Sequence, residues 1–336
     1  MRLRFVGIFK EKSKRKKALS VGLGVGLAGG ALLALRYGFR QPRRTEIPDS
    51  LSPAIFASRI AATSLGEMVY HTSGAGEPMV FLHGVYPGAS SYEWSKVYAH
   101  FADSHEVIAP DLIGFGESQR PKHTLDAAEY AQSLVEFLHE VCGGRKAILV
   151  SSGVGAQFAF LLASQHPELF SRMICWLPMG LASPLRRNHA RQILGIGRLP
   201  LLRSFVWRNY LSKPQFVRSW LSEIGFSDPN QIDPKTVRVL SLCASLSGAE
   251  CAIWAFLRGH LSANLSGRLE NFPIPTTIFW PEESELFSEK EILGVMEKLP
   301  QAQLRKIHHH GILAPLAAPD YFIRLIDESL GLQLHK

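Results

Sequence analysis

Six short strand-like runs separated by segments of helical length constrain this chain more than any other feature. Met79–Leu82, Val107–Ala109, Ala147–Val150, Met173–Leu177, Thr276–Trp280 and Leu304–Ile307 read as strands. Ala127–Val141, Gly155–Gln165, Glu289–Lys298 and Tyr321–Leu330 read as helices. Most of the runs are apolar throughout, so both faces of the sheet must be covered, and strands that alternate with helices pair in parallel. The pattern predicts an α/β body with a mostly parallel central sheet flanked by helices, starting near Leu65. A chain of 336 residues, 46% hydrophobic and 20% charged, is long enough to bury such a core.

The net charge of +8 belongs to one end of the chain. Residues 1–44 carry 12 Lys/Arg and one acid, which leaves 25 basic and 28 acidic residues in the rest. A body of that balance, with no basic run interleaved with aromatics, excludes nucleic acid as an expected partner. Residues 1–17 form a basic tail, and residues 18–36 a glycine-rich apolar segment followed by Arg40, Arg43 and Arg44. Its eighteen uncharged residues would rise about 27 Å as a helix, enough to cross a hydrocarbon core. Gly22, Gly26 and Gly30 recur at i, i+4, i+8, a face that lets helices approach closely in lipid. A single-pass membrane anchor is the expected reading, with the heavier positive flank and hence the amino terminus cytoplasmic. A cleaved secretory signal and an organelle-targeting peptide are the alternatives. Residues 37–64, with Pro42, Pro48 and Pro53, read as a linker.

Cys142, Cys175, Cys243 and Cys251 show no metal-ligand spacing and no C-x-x-C, so they read as structural thiols. No cofactor motif and no metal site are expected from the sequence.

Three motifs then occur in a telling order. Phe81-Leu82-His83-Gly84 follows the first strand, and Asp111-Leu112-Ile113-Gly114-Phe115-Gly116-Glu117-Ser118 follows the next. Ala147–Val150 runs into Ser151-Ser152-Gly153-Val154-Gly155, a small-residue turn opening a helix. Over roughly residues 65–335 the chain resembles the α/β-hydrolase fold superfamily. The His-Gly turn is similar to the family turn whose backbone N–H groups build an oxyanion hole, which implies His83, Gly84, Val85 and Val154 as pocket residues. The small-residue turn resembles the G-x-S-x-G nucleophile elbow.

The resemblance also implies where a Ser-His-Asp triad would lie. The nucleophile position is Gly153. After Trp280, the family acid position falls on Ser284. Counting back from Pro319, the family histidine position falls on Ile312. Substitute groups stand nearby: Ser151 or Ser152 as nucleophile, Glu283 as acid and His310, in the His308–His310 triplet, as base. The joint loss leads us to expect a fold that has left triad chemistry; the alternative is an active esterase-like hydrolase or a lyase using Ser152, His310 and Glu283. Ser90-Ser91-Tyr92-Glu93-Trp94 resembles a subgroup of hydrolase-like proteins whose Ser-Ser elbow also lacks its nucleophile.

The expected domain plan is a core of residues 65–180 and 269–336 interrupted by a helical cap at 181–268. Leu181–Leu221 has eight Lys/Arg and no acid, interleaved with Trp207, Tyr210, Phe216 and Trp220. An ordinary cap with solvated arginines is one reading, and contact with anionic lipid is the other. A small hydrophobic ligand under the cap is the expected partner besides the membrane.

Overall fold

The computed structural model describes residues 51–121, 123–181, 200–265, 267–282, 289–308 and 311–331. The 18–36 segment, the first part of the cap, Glu283, Ser284 and His310 lie outside the described residues.

Eight strands form one sheet: β1 (Ala57–Thr63), β2 (Gly66–Ser73), β3 (Glu77–Leu82), β4 (His105–Pro110), β5 (Ala147–Ser152), β6 (Phe170–Trp176), β7 (Thr276–Pro281) and β8 (Gln303–Ile307). Their order across the sheet is β1-β2-β4-β3-β5-β6-β7-β8. The β4-β3-β5-β6-β7-β8 portion is parallel, and β1 and β2 add on antiparallel. β5 is buried at all six residues, as its uninterrupted apolar run requires. The charged edge strand β8 exposes Gln303, Arg305 and Lys306, which blunts it against pairing with another chain.

The helices are α1 (Ala127–Cys142), α2 (Gly153–Gln165), α3 (Pro200–Val206), α4 (Pro214–Trp220), α5 (Pro234–Ser245), α6 (Ala249–Leu257), α7 (Glu289–Lys298) and α8 (Pro319–Leu330). Asp126 caps α1 in a reciprocal box with Glu129, and Gly143 ends it in the left-handed region. Helices α3 to α6 all fall between β6 and β7. Two π-helical turns, Trp207–Leu211 and Leu221–Gly225, follow α3 and α4. The second of these turns meets the candidate site.

Two expectations about the start of the body are corrected. The linker read to residue 64 already holds β1, and no strand was expected before Met79, where β1 and β2 form a hairpin. The reason is burial. Only Ala61 of β1 is fully buried, so this edge strand carries no apolar run to betray it. The cysteines are as read: all four are free, three of them buried.

Candidate functional site

Strand β5 ends at Ser152, and the chain turns through Gly153, at φ +50°, directly into α2. Two glycines in this turn have different physical reasons. At Gly155 any Cβ would overlap the His83 carbonyl oxygen, so only glycine lets α2 approach the loop after β3. At Gly153 a Cβ would meet nothing closer than 3.8 Å, where Gly84 Cα and Met179 Sδ stand. Glycine at this tip is therefore not a steric necessity; the turn has room for a side chain and carries none.

The hydroxyls next to the tip are engaged elsewhere. Ser151 lies in the core with its Oγ 3.4 Å from Cys175 Sγ. Ser152 donates to Glu93 Oε1 at 2.5 Å. The other oxygen of Glu93 accepts the Gly84 N–H at 2.8 Å, and the Tyr86 hydroxyl faces the same carboxyl. Glu93 is 1% exposed, and burial pushes its carboxyl up to about 7 against the hydrogen bonds that favour its charged form. An ionisable residue thus sits at the heart of the turn, supplied by the 3-10 turn Ser91–Trp94. Sequence reading quoted Glu93 within a motif and gave it no role. The available signal was a lone acid between two aromatics in an otherwise buried run.

His83 is held as a scaffold. Its Nε2 accepts the Leu112 N–H at 3.0 Å, so Nδ1 carries the proton and donates to the Gly84 carbonyl at 2.7 Å. Full burial keeps the ring below its usual pKa and neutral. Both nitrogens are used, and none is left to act as a base. Asp111 does similar work in the following turn. Its two oxygens accept the N–H groups of Ser91 and Glu117 at 2.6 and 2.7 Å. Gly116 is obligatory there, because a Cβ would overlap the Asp111 carboxylate.

Val85 and Val154 flank the tip, and both are buried. The Val154 N–H lies in the first turn of α2, where no intrahelical acceptor exists, so it is available as a donor.

Ile312, expected at the family histidine position, lies in a loop that docks the cap. Its N–H donates to the Ile224 carbonyl at 3.1 Å, and the Leu313 N–H to the Gly225 carbonyl at 2.9 Å. Trp176 Nε1 donates to the Ile312 carbonyl at 2.9 Å. A Cβ on Gly311 would overlap the Gly225 carbonyl oxygen. The π-helical turn of the cap thus lies backbone to backbone on the strip where a base would be presented. On the other side, Trp220 of α4 stacks on Tyr86 with ring centroids 5.4 Å apart and planes at 15°. His308, the described member of the histidine triplet, pairs with Glu282 at 2.6 Å and is mostly exposed. It points to the surface and not to the elbow. A surface cleft of about 630 Å³ beside α1 and α2, lined by Ser64, Asp126, Gln132, His260 and Arg268 among others, takes in none of the elbow residues.

Comparison with known proteins places this geometry in context. Residues 77–194 match the family model for the alpha/beta hydrolase fold. The chain is 35% identical over 120 residues to the 2-hydroxymuconate semialdehyde hydrolase of Pseudomonas sp. (strain CF600), covering 34% of this chain and 41% of that enzyme. The match therefore spans less than half of that relative's length. It is 25% identical over 245 residues to the uncharacterized hydrolase YugF of Bacillus subtilis (strain 168), covering 73% of this chain and 86% of YugF. Among solved structures, the epoxide hydrolase CorEH superposes with a TM-score of 0.70 at 21% identity, over 82% of this chain and 99% of that one. The mostly parallel sheet, the strand–turn–helix turn and these matches agree: the chain has the α/β-hydrolase fold, and its residues 77–194 match that family's model.

Proposed function

We propose that this protein is a membrane-tethered α/β-hydrolase-fold protein that binds a small hydrophobic molecule or a partner and performs no serine-hydrolase chemistry. The carrying observation is the elbow tip: Gly153 offers room and no oxygen, and the neighbouring Gly84 N–H is already taken by the Glu93 carboxyl. Acyl transfer needs a nucleophile, a base within hydrogen-bond reach and donors free to receive the developing oxyanion. Here both adjacent serine hydroxyls are buried and committed, and the family base position is an isoleucine in a cap-docking strip. Ionised Glu93 beside the donors would repel an oxyanion. The hydrolases among its relatives supply the ancestry of the pocket; the site chemistry supports binding.

The rival reading is an active hydrolase in which Ser152, held by a carboxyl, is the nucleophile. Fluorophosphonate labelling and short-chain ester turnover by the full chain distinguish the two. The expected result is no labelling and no turnover above a Ser152→Ala control. Labelling of the native protein that Ser152→Ala abolishes would overturn the proposal.

Membrane tethering rests on residues 18–36 with their basic flanks. Among the described residues no single helix is long and apolar enough to cross a membrane. The cap supports a second contact, with anionic lipid. Leu202, Phe205 and Tyr210 are exposed large apolar side chains, set among exposed Arg208, Lys213 and Arg218. Residues 47–336 form a compact unit of their own. Flotation of that unit with anionic and with neutral liposomes tests the cap: preferential binding to anionic vesicles is expected, and equal binding to both would sink the electrostatic reading.

A further inference from the structure

A second cluster of chemistry-bearing side chains shares Asp111 with the turn after β4. His71 on β2, Asp111 after β4 and Glu117 six residues later bring one ligand atom each to within 4.8 Å of one another. His71 Nε2 stands 3.8 Å from Glu117 Oε2, beyond hydrogen-bond distance. This nitrogen is buried and has no hydrogen-bond partner, although the residue is only 2% exposed. The other ring nitrogen, Nδ1, lies 3.0 Å from Ser58 Oγ on the neighbouring strand. A ring that donates Nδ1–H to that hydroxyl directs its Nε2 lone pair at the two carboxylates. Metal-ligating histidines are held by such outer partners.

We propose that His71, Asp111 and Glu117 form a binding site for a divalent transition-metal ion of the zinc class. An imidazole and two carboxylates, with the exposed side open to water, match the three-protein-ligand set of that ion. Ligand atoms at zinc distances stand about 3.3 Å apart in a tetrahedral site. The His71–Glu117 pair stands 3.8 Å apart and the whole set lies within 4.8 Å, so closing on an ion asks for movement that the exposed Glu117 side chain is placed to supply. Without a cation the arrangement is unfavourable twice over. A buried imidazole nitrogen is left unpaired, at a cost on the scale of a lost hydrogen bond, and two carboxylates face each other. One cation relieves both. It would also tie β2 to the turn whose Leu112 N–H fixes His83.

The test uses the full chain in detergent, stripped with a chelator and titrated with Co²⁺. Visible d–d absorption saturating at one equivalent is expected, followed by its loss on adding Zn²⁺. His71→Ala and Glu117→Gln are each expected to weaken binding at least tenfold. Replacing His308, His309 and His310 together should leave it unchanged, which separates this site from exposed histidines. Asp111 is left intact because its oxygens hold two backbone N–H groups. Should His71→Ala fail to fold, Glu117→Gln carries the test through its more exposed side chain. No saturable spectrum from the native chain, or one equally strong in Glu117→Gln, overturns the proposal.

Discussion

Replacing Glu93 by glutamine removes one buried ionisable group while keeping nearly the same shape, and its effect on stability should depend on pH in a defined way. Burial raises this carboxyl from an ordinary 4.5 to about 7. At 1.36 kcal/mol per unit, that difference corresponds to about 3 kcal/mol between the protonation states. The folded pKa lies above the unfolded one, so the folded state binds the proton more tightly. The stability gained from that proton is complete below about pH 4.5 and is lost as pH rises through about 7. Glutamine has no proton to lose. The stability of Glu93→Gln relative to wild type should therefore climb by about 1.4 kcal/mol per pH unit through the interval and level off above it. Taking the difference cancels every other titrating group. Urea unfolding of residues 47–336, followed by tryptophan fluorescence at several pH values from 5 to 8, measures it. Infrared spectroscopy offers an independent check, because a protonated carboxyl band titrating near pH 7 should vanish in the variant. A stability difference that stays flat across this range would refute the assigned burial and hydrogen bonding of Glu93.

Other consequences follow from particular contacts. Gly153→Ser should fold with a small loss, on the order of 1–2 kcal/mol for a side chain at positive φ, and show no ester turnover, because the base position still holds Ile312. Gly155→Ala should cost several kcal/mol and depress soluble expression, since its Cβ would overlap the His83 carbonyl. The contrast between the two glycines can be read from melting temperatures alone. Gly311→Ala should undock the cap by driving the strip 311–313 away from Ile224 and Gly225. Limited proteolysis would then cut within 200–230 at least several times faster, while cleavage in the core stays unchanged.

The central parallel strands were legible in the sequence because they are buried on both faces, and such burial writes itself as continuous apolar runs. The central run Ala147–Val150 lies within β5, and Glu289–Lys298 matches α7 at both ends. The edge hairpin was illegible for the opposite reason. Its outer strand keeps four of seven residues exposed before Ala61, so local composition gave no signal. The small-residue turn read after Ala147–Val150 is where the chain leaves β5 for α2, through Gly153 at positive φ.

What the sequence alone determined was therefore the parallel part of the sheet, the order of its turns and the glycine at the tip of the turn after β5. Each of these depends on neighbours along the chain. The tertiary structure decided how the surrounding groups are used. Ser152 meets Glu93 across 59 residues, Trp220 stacks on Tyr86, and Ile312 pairs with the cap at Ile224. His71 reaches Asp111 and Glu117 from 40 or more positions away, outside any ligand-spacing motif. Polar groups taken out of water must find partners wherever the fold brings them, and those partners are set by packing rather than by spacing in sequence. That is why the loss of an oxygen at Gly153 could be read directly, whereas the buried carboxyl beside it became visible only once the sheet had closed over it.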